Sequence, residues 1–229
     1  MAKPDEVIDL DNNTTPRVDP EVIESMMPYL SKFYGNPSSI HHFGGQVSSA
    51  IETARQRVAE LLGATPEEII FTSCGTEADN AAILSALEND VKRRKVVTTR
   101  VEHPAVLGMA KTLQRRGYHV EFVPVNHKGQ LCLDALCKMV STDTALVSVM
   151  WANNETGNIY PVIEAAEIAH QNGALFHTDA VQAVGKIPIN LTMANIDFLA
   201  LSGHKLHAPK GIGALYVKKG TPFNQFLIG

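Results

Sequence analysis

The chain has 229 residues, of which 45% are hydrophobic and 19% are charged. This composition is typical of a globular protein and excludes collagen-like, low-complexity and disulfide-rich proteins. The length predicts one large domain, with room for part of a second.

Net charge and cysteine content limit the binding partners and the cellular compartment that we expect for this protein. Twenty Lys and Arg residues against 24 Asp and Glu residues give a net charge of −4, so there is no basic excess for binding nucleic acid. Three cysteines without metal-ligand spacing favour a reducing compartment and no metal site. Because the N-terminus lacks a signal-peptide core and no apolar run approaches the roughly 20 residues of a membrane span, we expect a cytoplasmic protein without membrane contact.

Hydrophobic periodicity switches between helix and strand along the chain. Apolar residues at helical spacing predict a helix from about residue 47 that ends at Gly63. Beyond it we predict strands at 68–72, 96–99, 120–125, 145–150, 175–178, 197–201 and 213–217, and helices at 76–87, 104–116, 133–140 and 162–172. The basic cluster at residues 92–95 is interpreted as a solvated helix end. This alternation predicts an α/β fold, with a mostly parallel seven-stranded sheet covered by helices on both faces.

Polar and small residues follow five of the predicted strands, at 73–76, 100–103, 153–157, 178–179 and 202–205. In a parallel α/β sheet, ligands bind at the edge where the carboxyl ends of the strands meet. We therefore expect these five segments to form an active site.

The first of these segments contains Gly75 and Thr76 between a strand and a helix. Glycine lets the backbone approach a ligand, and the first amides of a helix, together with the Thr76 hydroxyl, can donate to an anion. The segment therefore predicts either a phosphate site or simple N-capping of the helix by Ser73 or Thr76. The P-loop and dinucleotide-binding fingerprints are missing, which disfavours a nucleotide ligand.

Asp179 and Lys205 each follow an apolar strand. One interpretation is a salt bridge between neighbouring strand ends, since a buried charge is costly unless paired. The other is a pyridoxal phosphate site, because this cofactor needs a lysine for its imine, an acid for its pyridine nitrogen and a phosphate site. His103, directly before Pro104, is either a capping or packing residue or a group that exchanges protons beside the cofactor.

Seven ordered motifs resemble those of the NifS/IscS-type cysteine desulfurases, which belong to the class-V aminotransferase family. They lie at 11–15, 35–39, 72–77, 101–106, 153–157, 177–182 and 202–211, and so cover essentially the whole chain. Residues 150–154 and 204–208 look closest to the nitrogen-fixation members, the NifS proteins. The resemblance implies the large domain of a fold type I pyridoxal-phosphate-dependent transferase.

The resemblance also implies roles for individual residues around the cofactor ring. Lys205 and His103 would be catalytic, Lys205 by forming the covalent bond to pyridoxal phosphate and His103 by stacking on the ring and moving protons. Asp179 would pair with the pyridine nitrogen. Gln182 would hydrogen-bond the ring hydroxyl, and Asn154 would contact that hydroxyl or the substrate carboxylate.

The same resemblance implies how the phosphate is held and which reaction follows. Gly75, Thr76, Ser202 and His204 would bind the phosphate, with Gly203 leaving room for the backbone. The implied reaction removes sulfur from L-cysteine and yields L-alanine and an enzyme persulfide, whose sulfur passes to an iron–sulfur scaffold or another acceptor protein. The implied assembly of the full-length form is a homodimer.

Members of the family are longer than this chain, which implies a particular division into domains. Residues 1–15 would be an N-terminal arm of the small domain, residues 16–229 an incomplete cofactor-binding large domain, and the remaining small domain with the nucleophilic cysteine would be missing. Cys74 is then expected to be structural, and Cys132 and Cys137 to be buried or surface thiols. Two alternatives stay open: another class-V aminotransferase or cysteine lyase, and a catalytically incomplete fragment without activity.

Overall fold

The computed structural model describes residues 8–228, so the first seven residues of the expected arm and the last residue of the expected large domain lie outside it. Seven strands are β1 Ile69–Thr72, β2 Lys95–Thr99, β3 His119–Val123, β4 Thr144–Ser148, β5 Leu175–Asp179, β6 Phe198–Ser202 and β7 Gly213–Val217. The α-helices are α1 Pro20–Ser31, α2 His42–Leu62, α3 Gly75–Asn89, α4 Pro104–Arg115, α5 Leu133–Met139 and α6 Val162–Gln171. Short 3₁₀ turns occupy Pro66–Glu68 and Gly203–Lys205.

The strands form one seven-stranded sheet in the order β1-β7-β6-β5-β4-β2-β3. Neighbouring strands are parallel except at β7, which runs antiparallel to both β1 and β6. The prediction of a mostly parallel α/β sheet is thus confirmed. The chain adds β3 on one side of β2 and β4 on the other, and this reversal opens a crevice at the carboxyl ends of the strands.

Helices cover both faces of the sheet, as predicted. Helices α3 and α4 pack on one face, and α2, α5 and α6 pack on the other. Side chains alternate along β6, where Phe198 and Ala200 face α3 while Leu199 and Leu201 face the opposite layer. Within residues 8–228, no helix is long and apolar enough to cross a membrane.

Local sequence explains where the helices begin and end. Gly63 ends α2 in the left-handed conformation with φ of 65°, as the sequence predicts. The same helix starts five residues earlier than predicted, because the His41 side chain accepts a hydrogen bond from the Gly44 amide and caps it. Helix α1 is not among the predicted elements, although Asp19 caps it and Pro20 occupies its first turn.

The basic cluster at residues 92–95 is a solvated helix end only in part, because Lys92 and Arg94 are exposed while Arg93 and Lys95 are not. It follows the end of α3 and enters β2, where Lys95 is 7% exposed. The Lys95 ammonium lies 3.2 Å from the Glu121 carboxylate. Arg93 Nη1 donates hydrogen bonds of 3.0 Å to the carbonyl oxygens of Thr144 and Asn172. These two cations therefore tie strand ends and loops together.

Candidate active site

A cavity of about 300 Å³ opens at the carboxyl edge of the sheet. Its walls come from the loops after β1, β2, β4, β5 and β6 and from the N-terminal segment. The lining residues are Asn13, Thr14, Thr15, Cys74, Gly75, Thr76, Asp79, His103, Met150, Asn154, Asp179, Val181, Gln182, Ser202, His204 and Lys205. The five loops are the ones that the sequence places at this edge. Nine of the ten expected site residues line the cavity, and Gly203 is buried beside it.

The loop after β1 is built to approach a ligand with its backbone. The Thr72 hydroxyl donates to the Cys74 carbonyl at 3.0 Å, and Glu77 accepts from the Ser73 amide at 2.8 Å. Cys74 is the N-cap residue of α3, and among the described residues no side-chain hydrogen bond caps the first amides of this helix. The first-turn amides of α3 are therefore available to an anion, rather than being capped by Ser73 or Thr76.

The start of α3 packs closely against the loops that follow β5 and β6. A Cβ atom added to Gly75 would lie 2.8 Å from Val181 Cγ2 and 3.4 Å from Ser202 Cβ. A Cβ on Gly203 would lie 2.7 Å from Ile212 Cγ2. Both glycines thus allow the loops after β1, β5 and β6 to meet around one small space, which fits a phosphate group.

Lys205 lies at the end of the 3₁₀ turn that follows β6. Its ammonium donates to the carbonyl oxygens of Asn13 and Thr14. Partial burial lowers the pKa of Lys205 from its ordinary value, and the positive charge of Lys186 lowers it further. A lower pKa increases the neutral fraction of the amine, which is the form that attacks a carbonyl carbon.

Asp179 ends β5 and is 4% exposed. Its carboxylate accepts a hydrogen bond of 2.9 Å from the Val181 amide. Burial raises the pKa of Asp179 to about 7, and the negative charge of Asp79 adds to this effect. Within the described residues, Asp179 and Lys205 do not form the salt bridge that was the alternative interpretation. The Asp179 carboxyl group is therefore available to pair with a cation that enters the cavity.

His103 caps a helix and also lines the cavity, so its position is compatible with both of the roles that the sequence left open. Its Nδ1 atom accepts a hydrogen bond of 3.2 Å from the Ala105 amide and so caps α4, while the ring lines the cavity. Because Nδ1 is an acceptor, the neutral ring carries its proton on Nε2. This arrangement fits a group that exchanges a proton at the Nε2 atom.

His204, Gln182 and Asn154 are held by neighbouring groups. His204 Nδ1 lies 3.0 Å from the Thr15 hydroxyl, and partial burial lowers the pKa of His204. Gln182 donates to the Asn13 carbonyl at 2.8 Å. Asn154 donates to Glu155 Oε1 at 2.7 Å. The N-terminal segment thus contributes directly to the site.

Three buried titratable residues in or near the cavity wall were not predicted. Asp79 on α3 is 1% exposed, His177 on β5 is 0% exposed and Glu102 after β2 is 4% exposed. Burial raises the pKa of Asp79 and of Glu102 to about 8 and lowers that of His177 to about 4. The sequence does contain one signal, since Asp79 lies among the small apolar residues of α3. A charge on an apolar helix face points to a buried polar site.

Comparison with known proteins places this site in a family. A sequence model described as aminotransferase class-V matches residues 8–229. The chain belongs to the class-V aminotransferase family. Enzymes of this family depend on pyridoxal phosphate.

Individual relatives of the class-V family agree with this assignment. The chain is 57% identical to a cysteine desulfurase of Trichormus azollae, covering 97% of this chain and 56% of that protein. It is 54% identical to the cysteine desulfurase NifS of Azotobacter vinelandii, covering 96% of this chain and 55% of that protein. A solved NifS-like protein matches the fold with a TM-score of 0.93 and 43% identity, covering 96% of this chain and 61% of that one. The chain therefore spans a little over half the length of these relatives.

The residues of the cavity fit the cofactor of the class-V family. The uncapped start of α3 suits a phosphate, the buried Asp179 suits a protonated ring nitrogen, and the partly buried amine of Lys205 suits a carbonyl carbon. These three groups face one cavity. The cavity thus holds the three kinds of group that pyridoxal phosphate requires.

Proposed function

We propose that this chain is the cofactor-binding part of a cysteine desulfurase that acts on L-cysteine. The observation that carries the proposal is the meeting of an uncapped helix start, a buried acid and a partly buried lysine in one cavity. The similarity to cysteine desulfurases along 97% of the chain supports the same reaction. When bound, pyridoxal phosphate supplies an electron sink for the charge that develops on the amino-acid substrate.

Each residue of the site has a part in this proposal. Lys205 would hold the cofactor covalently through its amine, and Asp179 would accept a hydrogen bond from the ring nitrogen. His103 would stack against the ring and would move a proton at its own Nε2 atom. Gln182 donates to the ring hydroxyl in place of its present contact with Asn13.

The remaining residues hold the phosphate and the substrate. The amides of Gly75 and Thr76 donate to the phosphate at the start of α3, as do Ser202 and His204 from the loop after β6. Gly203 lets that loop pack closely against Ile212 of the same chain. Asn154 contacts the ring hydroxyl or the substrate carboxylate.

The proposal extends to the domain organisation, the partners and the setting. Residues 1–15 are assigned to an arm of the small domain and residues 16–229 to the large domain. An iron–sulfur scaffold or another acceptor protein receives the sulfur, and the full-length form is a homodimer. The setting is cytoplasmic, and the similarity to NifS of Azotobacter vinelandii favours nitrogen fixation.

The first test is formation of the covalent bond to Lys205. The purified chain mixed with pyridoxal phosphate should acquire a visible absorbance band that borohydride removes, with a cofactor label on Lys205 by mass spectrometry. Lys205→Ala should abolish the band and the label. Lys210→Ala, in the same loop and exposed, is the matched control and should retain both. An unchanged band in Lys205→Ala would contradict the assignment.

The second test identifies the reaction. With L-cysteine, a desulfurase releases alanine, a cysteine lyase releases pyruvate, and an aminotransferase converts a keto acid. The assay belongs on a protein with the full length of its relatives, with this chain measured beside it. Cys74 lines the cavity, so Cys74→Ala is the informative variant. We expect no persulfide on Cys74, and persulfide formation that depends on Cys74 would overturn that expectation.

A further inference from the structure

Asp79 and His177 form a buried pair beneath the cavity. Asp79 Oδ1 lies 3.3 Å from His177 Nε2, and the two residues are 1% and 0% exposed. Neither atom has a hydrogen-bond partner elsewhere among the described residues. Because an unsatisfied buried polar atom is costly, these two atoms are best satisfied by sharing a proton.

The second ring nitrogen of His177 allows the shared proton to lie on either residue. His177 Nδ1 lies 2.9 Å from the hydroxyl of Ser148 on β4, and a hydroxyl can donate or accept. When Asp79 is protonated, it donates to Nε2, and Nδ1–H donates to Ser148. When Asp79 is ionised, Nε2–H donates to Asp79, and Ser148 donates to Nδ1. The two arrangements differ by one proton, and each gives Asp79 Oδ1 and His177 Nε2 the hydrogen bond that they otherwise lack.

The pair lies next to Asp179 in the fold. His177 and Asp179 are two residues apart on β5 and so project from the same face of the sheet, under α3. Asp79 comes from α3 and also lines the cavity. Burial is the main cause of the raised pKa of Asp179, Asp79 raises it further, and His177 opposes the rise. The charge state of the Asp79–His177 pair therefore changes the pKa of Asp179.

We propose that Asp79 and His177 are positioning residues that set the charge of Asp179 through their shared proton. When the shared proton lies nearer His177, Asp79 carries negative charge and Asp179 ionises less readily; when it lies nearer Asp79, Asp179 ionises more readily. The proposal rests on the pyridoxal phosphate site proposed above and gives a role to two residues that the proposed site does not use.

Other titratable groups also act on this buried cluster. They are Glu102 after β2, His103 at the start of α4, and Lys205 after β6. All three are unchanged when Asp79 or His177 is replaced. A difference between variants in pH dependence therefore reports the replaced residue.

The first experiment measures the dissociation constant of pyridoxal phosphate between about pH 5 and pH 9 in four forms of the chain. Asp79→Asn keeps the size and removes a like charge, so the pKa of Asp179 falls and tight binding extends about one unit lower in pH. His177→Gln removes the group that shares the proton of Asp79. The pH midpoint of pyridoxal phosphate binding therefore moves about one unit upward. Thr178→Val is the matched control, because Thr178 lies between His177 and Asp179 but projects from the opposite face, and it keeps the wild-type midpoint.

The opposite shifts of the pH midpoint in Asp79→Asn and His177→Gln distinguish a role in setting the charge of Asp179 from a merely structural role. A folding defect would weaken binding in both variants without moving their midpoints apart. Unchanged midpoints, or midpoints that move in the same direction, overturn the proposal.

The second experiment needs no cofactor. Nitrogen NMR of the His177 ring in the ligand-free chain should show its proton moving from Nδ1 to Nε2 as the pH rises, and Asp79→Asn should remove this step. A ring tautomer that does not change in the wild type, or that changes equally in Asp79→Asn, overturns the proposal. If the chain binds no pyridoxal phosphate, the proposed function fails, and this measurement still decides whether the pair shares a proton.

Discussion

The side-chain amide of Gln182 donates a 2.8 Å hydrogen bond to the carbonyl oxygen of Asn13, which lies 169 residues earlier in the chain. The Lys205 ammonium donates to the same carbonyl. Thr15 adds a 3.0 Å contact between its hydroxyl and His204 Nδ1. The segment of residues 13–15 is thus bound to the loops after β5 and β6, directly at the cavity.

Thr15→Val should loosen this segment. Loss of the contact with His204 removes about 1 kcal/mol, so pyridoxal phosphate should bind about fivefold more weakly. Trypsin should also cleave faster after the exposed Arg17. Thr14→Val is the matched control, because within residues 8–228 the Thr14 hydroxyl bonds only to the nearby Asp11 carbonyl, at 3.1 Å. Equal effects of the two variants on binding and cleavage would contradict this prediction.

Gly75→Ala should disturb the expected phosphate site. The added Cβ would lie 2.8 Å from Cγ2 of Val181, whose β-branched side chain cannot turn away freely. Such overpacking costs about 1–3 kcal/mol, and affinity for pyridoxal phosphate should fall by about tenfold or more. Gly108→Ala on α4 meets no atom within 4 Å and should stabilise the chain by up to about 1 kcal/mol. Titration with the cofactor and urea unfolding check both variants.

The buried acids should make the ligand-free chain less stable in mild alkali. The pKa of Glu102 and of Asp79 is raised to about 8, and that of Asp179 to about 7, so the folded chain keeps protons that the unfolded chain releases. The free energy of unfolding therefore falls as the pH rises through these values. The pKa of His177 is lowered from 6.5 to about 4, which acts in the opposite direction only below pH 6.5. We expect the clearest fall between pH 6.5 and 8, measured by urea unfolding.

Glu102→Gln should reduce the slope of the free energy of unfolding against pH. Each proton retained by the folded chain contributes about 1.4 kcal/mol per pH unit to the slope. Glutamine keeps an acceptor oxygen for the Thr99 hydroxyl and the Met150 amide, which Glu102 binds at 2.7 and 3.0 Å. Glu24→Gln, at an exposed position of α1, should leave the slope unchanged. A slope that is the same in all three proteins would show that Glu102 is ionised at neutral pH.

Arg93→Ala should destabilise the fold by about 1–3 kcal/mol, because two carbonyl oxygens lose a charged donor. Those oxygens belong to Thr144 and Asn172, both 3.0 Å from Nη1. Arg93→Lys should restore only part of the loss, since an ammonium lacks the planar fork of the guanidinium. Lys92→Ala, at the neighbouring exposed position, should have no measurable effect in urea unfolding. Comparable losses in both alanine variants would indicate a general charge effect.

Much of the fold follows from local patterns. The alternation of apolar residues locates every strand of the sheet to within a few residues, and Gly63 marks the end of α2. Helix α1 has no buried residue, so it lacks the core-facing stripe by which a helix is recognised in sequence. Its capping residue Asp19 was the available signal.

The candidate site is also largely visible in the sequence, because the order of strand and helix already brings the carboxyl ends of the strands together. Gly75, Asp179 and Lys205 could be selected from their positions after strands, and they line one cavity. The sequence by itself thus determined the α/β class, the edge that carries the site and the residue types available there.

Only the tertiary structure decided how those residues are paired. The contact of Asp79 with His177 joins α3 to β5, and the contact of Asn13 with Gln182 joins positions 169 residues apart. Arg93, whose local sequence is that of a solvated charge run, is instead bound to carbonyl oxygens of distant loops. Periodicity reports which face a residue occupies. A buried charge or donor is satisfied by whichever group the fold brings within about 3 Å, and in these three cases that group lies far away in the chain.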